Sequence, residues 1–440
     1  MMDQKEHQRR RKKLMDMMGD ESIAIVPTAS TFIRNRDVEF PYRPDSDFYY
    51  LTGYPEPEAI AVLIPDRHHG EYVLFCREND PVMETWNGRR AGLDGAVHQY
   101  RADDAFPIDD LDEILPGLLE DRERIYYTMG TNAGFDQRVL GWVNQVRKRA
   151  RTGVSAPDEF IALNHLLHEM RLYKSRLEIA AMRRAAKISA IALRRAMQVC
   201  RPGMMEYQIE AELKYVFMQH GAREPAYPPI VGGGANSCIL HYTSNNEELH
   251  HGDMLLIDAG AEYNGYASDI SRTFPVSGKF TRAQREVYEL VLHAQHAAIN
   301  RIKPGKHWHE PHAAAVEVLT QRLVDLGILK GRTRQLVKDQ AYTKYYMHRT
   351  GHWLGMDVHD VGDYKVEGEW RTFEPGMVLT VEPGLYFPAG TRGLAKKWWN
   401  IGVRIEDDVL VTAKGNEILS RDAPKTIDEI EAVMAHAIAA

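Results

Sequence analysis

Two hydrophobic rhythms alternate along the chain. Short apolar runs bounded by turn residues read as strands: Ala59 to Ile64 and Tyr72 to Phe75 in the first half, Met254 to Ile257 and Met377 to Val381 in the second. Ile401, Val403 and Ile405 alternate with Gly402, Arg404 and Glu406, the pattern of a half-buried strand that points Arg404 and Glu406 the same way. Helical stretches lie between these runs. Ser175 and Glu178 form a capping-box pair ahead of a long helix that closes near Cys200, before Pro202-Gly203. Thr426 and Glu429 open a final helix in the same way. Glu6-His7-Gln8-Arg9-Arg10-Arg11-Lys12-Lys13 reads as a charged helix face, and Val146 to Arg151 as a solvated helix end. The chain therefore predicts an α/β N-terminal domain followed by an α+β domain whose helices surround its strands.

Several strands carry acids on the inner face. Asn264-Gly265 is a strong two-residue turn signal, and a strand from Ala267 to Phe274 should return from it. With that tip, Tyr263 faces Tyr266, Asp258 faces Ser271 and Asp269 faces Gly260. The two aspartates then share a face as diagonal neighbours roughly 7–8 Å apart at the backbone. Glu382 ends the Met377 to Val381 strand before Pro383-Gly384, and His352 lies in a glycine-punctuated segment. Burying such acids unpaired costs several kcal/mol each unless a cation compensates. Asp258, Asp269, His352, Glu382 and Glu406, four carboxylates and one imidazole, suit two divalent cations with a bridging hydroxide as nucleophile. That donor set indicates a two-metal hydrolase.

Five segments carry a resemblance: Leu256-Ile257-Asp258-Ala259-Gly260, Ser268-Asp269-Ile270-Ser271-Arg272-Thr273, His352-Trp353-Leu354-Gly355, Val381-Glu382-Pro383-Gly384 and Gly402-Val403-Arg404-Ile405-Glu406-Asp407-Asp408. They are similar to the pita-bread (creatinase/aminopeptidase-like) metallopeptidases. Pro41 to Gly53 and Trp86-Asn87-Gly88-Arg89-Arg90 extend the similarity to the aminopeptidase P group within that family. The resemblance implies an N-terminal α/β aminopeptidase P domain over 1–173 and a catalytic pita-bread domain over 174–440. The step between them is placed near Ser155-Ala156-Pro157 or around Tyr173-Lys174. The implied activity is release of the first residue from peptides whose second residue is proline.

The resemblance also assigns roles. Glu382 would shuttle the proton to the leaving proline nitrogen. His241 and His359 would steady the tetrahedral intermediate, and Arg404 would orient a ligand carboxylate through a bidentate contact. His348 and Tyr386 match pocket positions. Asp37, with Glu39 as the alternative, would take the substrate's free amine. Trp86 resembles a residue that a neighbouring subunit contributes, which implies a homo-oligomer, a tetramer in the family or else a dimer. Arg349 departs from the small residue that many relatives carry. It would narrow the pocket or bind a substrate carboxylate, which keeps an Xaa-Pro dipeptidase as the alternative reading. Methionine aminopeptidase fits less well beside a large N-terminal domain, and a metal-free peptide-binding protein is the reading from a different class. The oxygen-rich ligand set favours Mn²⁺ over Co²⁺, Zn²⁺ or Fe²⁺.

Composition narrows the picture further. The 440 residues exceed what one core organises, and a net charge of -7 argues against a nucleic-acid partner. No long apolar run predicts a membrane span, and the N-terminus lacks the hydrophobic segment of a secretory signal. Its early acids Asp3 and Glu6 also count against a mitochondrial presequence. Cys76, Cys200 and Cys238 are too scattered for a disulfide framework, which fits a reducing cytoplasm. His165 to Glu169 and His307 to His312 lack zincin spacing and read as surface or interface histidines. Gly232-Gly233-Gly234 lacks the Lys-Ser/Thr of a phosphate loop and reads as flexible backbone beside the site.

Overall fold

The computed structural model describes residues 3–436. They divide into two units, Met1–Met170 and Arg171–Ala440. The division falls three residues before the expected step, and two side chains explain it. Arg171 donates from Nη2 to Asp357 and Asp360, both at 2.7 Å, and Lys174 donates from Nζ to Asp360 at 2.8 Å, which ties this segment into the second unit.

The first unit is built on six strands in the order Asp104–Pro107, Tyr72–Cys76, Ile60–Leu63, Ser22–Pro27, Arg124–Tyr126, Glu159–Ile161. The three inner strands pair antiparallel, and parallel neighbours flank them. Ile23, Ile25, Val62 and Phe75 pack against Leu115, Val139 and Trp142 of two helices, Leu111–Leu118 and Ala133–Lys148. The charged segment Glu6 to Lys13 lies on a helix, as expected, with Gln8, Arg9, Lys12 and Lys13 exposed, but its other face is buried. Within helix Gln4–Met18, Glu6, His7, Arg10 and Arg11 are buried. Glu6 pairs with Arg9 and Arg10, whereas His7, Arg10 and Arg11 reach the last carbonyls of helix Ser46–Thr52, which have no acceptor role left inside that helix. Arg10 and His7 donate to the Tyr50 carbonyl at 3.0 Å and Arg11 to the Leu51 carbonyl at 2.8 Å. Cations are also favoured there by the helix dipole.

In the second unit the Asn264-Gly265 hairpin forms with both residues at positive φ, 53° and 78°, and pairs Tyr263 with Tyr266. Strand Met254–Asp258 pairs Asp258 with Ser271 on one edge and strand Ile230–Gly233 on the other. The returning strand, expected unbroken, is interrupted between Tyr266–Ala267 and Ser271–Pro275. The Asp269 N–H leaves the ladder to donate to the Asp408 carboxylate at 3.1 Å. Gly260 permits the kink, since a Cβ there would sit 1.6 Å from the Ser268 carbonyl oxygen. In the glycine run Gly232 and Gly233 are strand residues, and a Cβ on Gly233 would lie 2.5 Å from Leu249.

Strand Val378–Val381 pairs with Asp407–Thr412, and Gly384–Phe387 pairs with Ile401–Arg404. This last strand is buried on both faces, not half-buried. Both expected capping boxes are present, on helices Arg176–Val199 and Ile427–Ala435. Among the described residues no helix is long and apolar enough to cross a membrane, and Cys76, Cys200 and Cys238 are free.

One buried ionic cluster fixes the C-terminal strands. Asp407 accepts from Arg272 at 2.8 Å, Lys425 at 2.6 Å and Ser420 at 2.6 Å, with Arg272 and Asp407 both fully buried. Those partners hold its carboxyl far below the usual range even though burial opposes the charge. Asp407→Ala should cost about 3–5 kcal/mol, because it strands buried cations. Urea unfolding followed by tryptophan fluorescence would show it, since Trp308, Trp353, Trp370, Trp398 and Trp399 all lie in the second unit. Arg282→Ala, which breaks only an exposed helix pair with Glu286, should barely move the midpoint.

Candidate metal centre

Strand ends and breaks deliver the acids to one place. Asp258 is the last residue of its strand, Asp269 sits in the interruption, Glu382 joins Val378–Val381 to Gly384–Phe387, and Glu406 joins Ile401–Arg404 to Asp407–Thr412. All four, with His352, line one cavity of about 770 Å³. Asp269, His352 and Glu406 each present a donor atom within 4.8 Å of the others. The His352 segment is laid along strand Val378–Val381: the Thr380 N–H donates to the His352 carbonyl at 2.9 Å and the Glu382 N–H to the Thr350 carbonyl at 2.7 Å. Gly351 allows this approach, because a Cβ would meet the Thr380 carbonyl oxygen at 2.0 Å.

The protein's own groups leave this cluster short of positive charge. Arg404 donates from Nη2 to Asp258 at 2.6 Å, from Nη1 to the Tyr386 hydroxyl at 3.1 Å and from Nε to Ser271 at 2.9 Å. Its contact with Asp258 therefore uses one nitrogen, a correction to the expected bidentate grip, because the other two donors are committed elsewhere. The Tyr227 hydroxyl lies 2.6 Å from Asp258 and 2.5 Å from Asp269, yet it has one proton to give. His352 donates from Nδ1 to its neighbour's carbonyl, that of Trp353, at 2.9 Å. In the neutral ring this leaves the Nε2 lone pair aimed at Asp269, 3.3 Å away.

Titration reflects the imbalance. Burial, with the charges of Asp269, Glu382 and Asp258 behind it, pushes Glu406 well above the usual range. Burial also lifts Glu382 to about 7 against the pull of His352 and Arg404. Burial opposes a charge on His352, but the Asp269 hydrogen bond and nearby acids outweigh it and hold the imidazole at about 9. An Nε2 lone pair and four carboxylates converging on one cavity fit divalent cations, which would satisfy every one of these groups.

Comparison with known proteins agrees with this geometry. The description Metallopeptidase family M24 matches residues 180–413, and Aminopeptidase P, N-terminal domain matches residues 7–126. The chain belongs to metallopeptidase family M24. It is 46% identical to the Xaa-Pro aminopeptidase of Escherichia coli (strain K12), over 98% of this chain and 97% of that one. Among solved structures it is similar to Pseudomonas aeruginosa aminopeptidase PepP, with TM-score 0.98 and 58% identity over 99% of this chain and 98% of that one. Zn-substituted E. coli aminopeptidase P in complex with product gives TM-score 0.96 and 45% identity over 99% of each chain. The match spans both units, and the fold is that of aminopeptidase P.

Within this M24 cavity, His241, His348, His359 and Arg404 stand beside the acids, and Tyr386 is buried behind them. The His359 ring meets the His352 ring edge-on, centroids 4.3 Å apart. His348 donates from Nδ1 to the Arg349 carbonyl at 2.8 Å and accepts from Tyr386 at 2.9 Å, so it offers the cavity its ring and no free nitrogen. Burial, then the charge of Arg404, lowers it to about 3, and its 3.6 Å approach to Glu382 is accordingly not an ion pair. Asp37 is exposed at a hairpin tip and Trp86 exposed on helix Pro81–Asn87, both in the first unit.

The histidine cluster 307–312 corrects the sequence expectation. His309 and His312 line the cavity, carried by helix His309–Asp325, whose first turn accommodates Pro311. His165 is surface-exposed, as read. Tyr227, Asp408 and the Thr350 hydroxyl, held by His312 at 2.8 Å and Tyr346 at 2.6 Å, were missed. Tyr227 lies in a proline-rich loop, Ala226-Tyr227-Pro228-Pro229, and that aromatic between turn residues was its only signal.

The linkage gives a pH test. Glu382 and His352 bind protons more tightly folded than unfolded, so in metal-free protein their contribution falls as pH rises from about 4.5 through 7 for Glu382 and from about 6.5 through 9 for His352. Cations displace those protons, so the rise in Tm on adding Mn²⁺ should be small near pH 5 and grow towards pH 8. Scanning calorimetry with and without chelator measures it, and a shift independent of pH would contradict the assignment.

Proposed function

We propose that this chain is a two-metal Xaa-Pro aminopeptidase, releasing the first residue from peptides whose second residue is proline. The observation that carries the reading is the convergence of the His352 Nε2 lone pair with buried Asp269 and Glu406 in a chain that matches aminopeptidase P over nearly its whole length. Asp258, Asp269, His352, Glu382 and Glu406 would hold two divalent cations, Mn²⁺ by the preponderance of oxygen donors. When bound, the cations supply an activated water and polarise the scissile carbonyl.

The remaining steps belong to the side chains. Glu382, a carboxyl balanced near neutrality by its surroundings, takes a proton and hands it to the proline nitrogen, which cannot leave unprotonated. His241 and His359 turn N–H groups towards the developing oxyanion. Arg404 holds Asp258 and, through Tyr386, the ring of His348, which forms a wall against the substrate. Asp37, or Glu39 beside it, takes the substrate amine. Trp86, 79% exposed, suits an oligomer, a homotetramer, in which it enters a second copy's pocket. Domains over 1–173 and 174–440 and a cytoplasmic location, consistent with three free cysteines, complete the reading.

Incubation of the Mn²⁺-reconstituted protein with Xaa-Pro-Yaa and Xaa-Pro peptides, with products identified by mass, tests the specificity. Release of Xaa from the tripeptide is expected, whereas cleavage of the dipeptide alone would make the enzyme a dipeptidase. Asp269→Asn should lower kcat by about a thousandfold or more while leaving the first unit folded.

A further inference from the structure

The wall of the cavity away from the acid floor has a chemistry of its own. Every carboxylate lining the cavity belongs to the cluster of Asp258, Asp269, Glu382 and Glu406. Besides Arg404, which is paired with Asp258, the rest of the lining among the described residues carries two cations, Arg349 and Lys365, and no acid. Beside them is an aromatic ledge: Trp308 packs on Tyr364 with centroids 4.6 Å apart, and Lys365 extends over the Trp370 ring at 4.6 Å.

Arg349 is the unusual member of this wall. Arg349 is solvent-exposed where it lines the cavity, and among the described residues its guanidinium has no ion-pair or hydrogen-bond partner. Its backbone is fixed on both sides. His348 donates to the Arg349 carbonyl, and Thr350 is clamped by His312, Tyr346 and the Glu382 N–H. The charge also reaches the opposing helix: burial first and Arg349 second lower His312 to about 4, so that histidine is neutral and leaves Arg349 as the cation there. A planar guanidinium on a rigid segment, with no internal acceptor, is suited to a carboxylate from outside.

We propose that Arg349, supported by Lys365 and the aromatic ledge of Trp308, Tyr364 and Trp370, forms a subsite that binds a carboxylate on the part of the substrate beyond proline. This rests on the peptidase reading above. The carboxylate is either the C-terminus of a tripeptide or an acidic side chain at the third residue, and both present the same group to the fork. Arg349 then determines specificity: it favours short or acidic peptides through binding, without touching the reacting atoms.

The test uses the full-length Mn²⁺-reconstituted protein and four peptides, Ala-Pro-Ala, Ala-Pro-Ala-amide, Ala-Pro-Glu-amide and Ala-Pro-Gln-amide. In the unaltered enzyme a carboxylate should lower KM roughly threefold to tenfold against its neutral counterpart, with kcat within about twofold. A gain for Ala-Pro-Ala over its amide identifies the C-terminus as the source, and a gain for the Glu over the Gln peptide identifies the side chain. Arg349→Gln should abolish either difference and Arg349→Lys should retain part of it. Equal KM for all four peptides, or an Arg349→Gln effect that is the same for all, would overturn the subsite. Calorimetric binding of Pro-Ala against Pro-Ala-amide separates this from failure of the peptidase reading. A preference for the free acid that is lost in Arg349→Gln supports the subsite even if no peptide is cleaved, and its absence counts against it.

Discussion

Four buried carboxylates facing too few cations set the terms for the second unit. Asp258, Asp269, Glu382 and Glu406 converge where, among the described residues, Arg404 and His352 are the positive partners, and a single Tyr227 proton is shared between two of the acids. Unpaired carboxylates in such surroundings are costly enough to unmake a core. The fold places each of them at the end of a strand or in a gap between two, where the ladder no longer claims the local backbone and the side chain can turn inward. An external divalent charge would complete the arrangement, and the same deficit that makes the site expensive makes it fit to accept metal.

Much of this was legible in the chain because the signals were local. The Asn264-Gly265 turn fixed the register that brings Asp258 and Asp269 to one face, since a two-residue hairpin tip determines which residues oppose each other. The capping boxes at Ser175 and Thr426 gave helix starts for the same reason. Asp258 and Glu382 were visible at the ends of apolar runs, Asp269 on the returning strand, Glu406 in an alternating strand and His352 in a glycine-punctuated segment, and the match with aminopeptidase P then joined the two units to one family.

What escaped depends on contacts between distant segments. Tyr227 meets Asp258 and Asp269 across 31 and 42 residues of sequence, from a loop with no period to read. His309 and His312 were set aside because they lack zincin spacing, yet Pro311 in a first helical turn costs no hydrogen bond and the helix carries both to the cavity. The charged face of the first helix was legible, but nothing in Glu6 to Lys13 announces that Arg10 and Arg11 will be buried against the carbonyl end of helix Ser46–Thr52. Arg404 was read correctly as a neighbour of a ligand carboxylate, but its division among Asp258, Tyr386 and Ser271 is a property of packing.

The central claim is that two divalent cations replace protons on this over-acidic cluster. Isothermal titration of the chelator-treated protein with Mn²⁺ at pH 7, repeated in two buffers of different ionisation enthalpy, counts ions bound and protons released in one experiment. The account predicts two ions per chain with net proton release on binding. Fewer than two ions, or binding with no proton release, would contradict it.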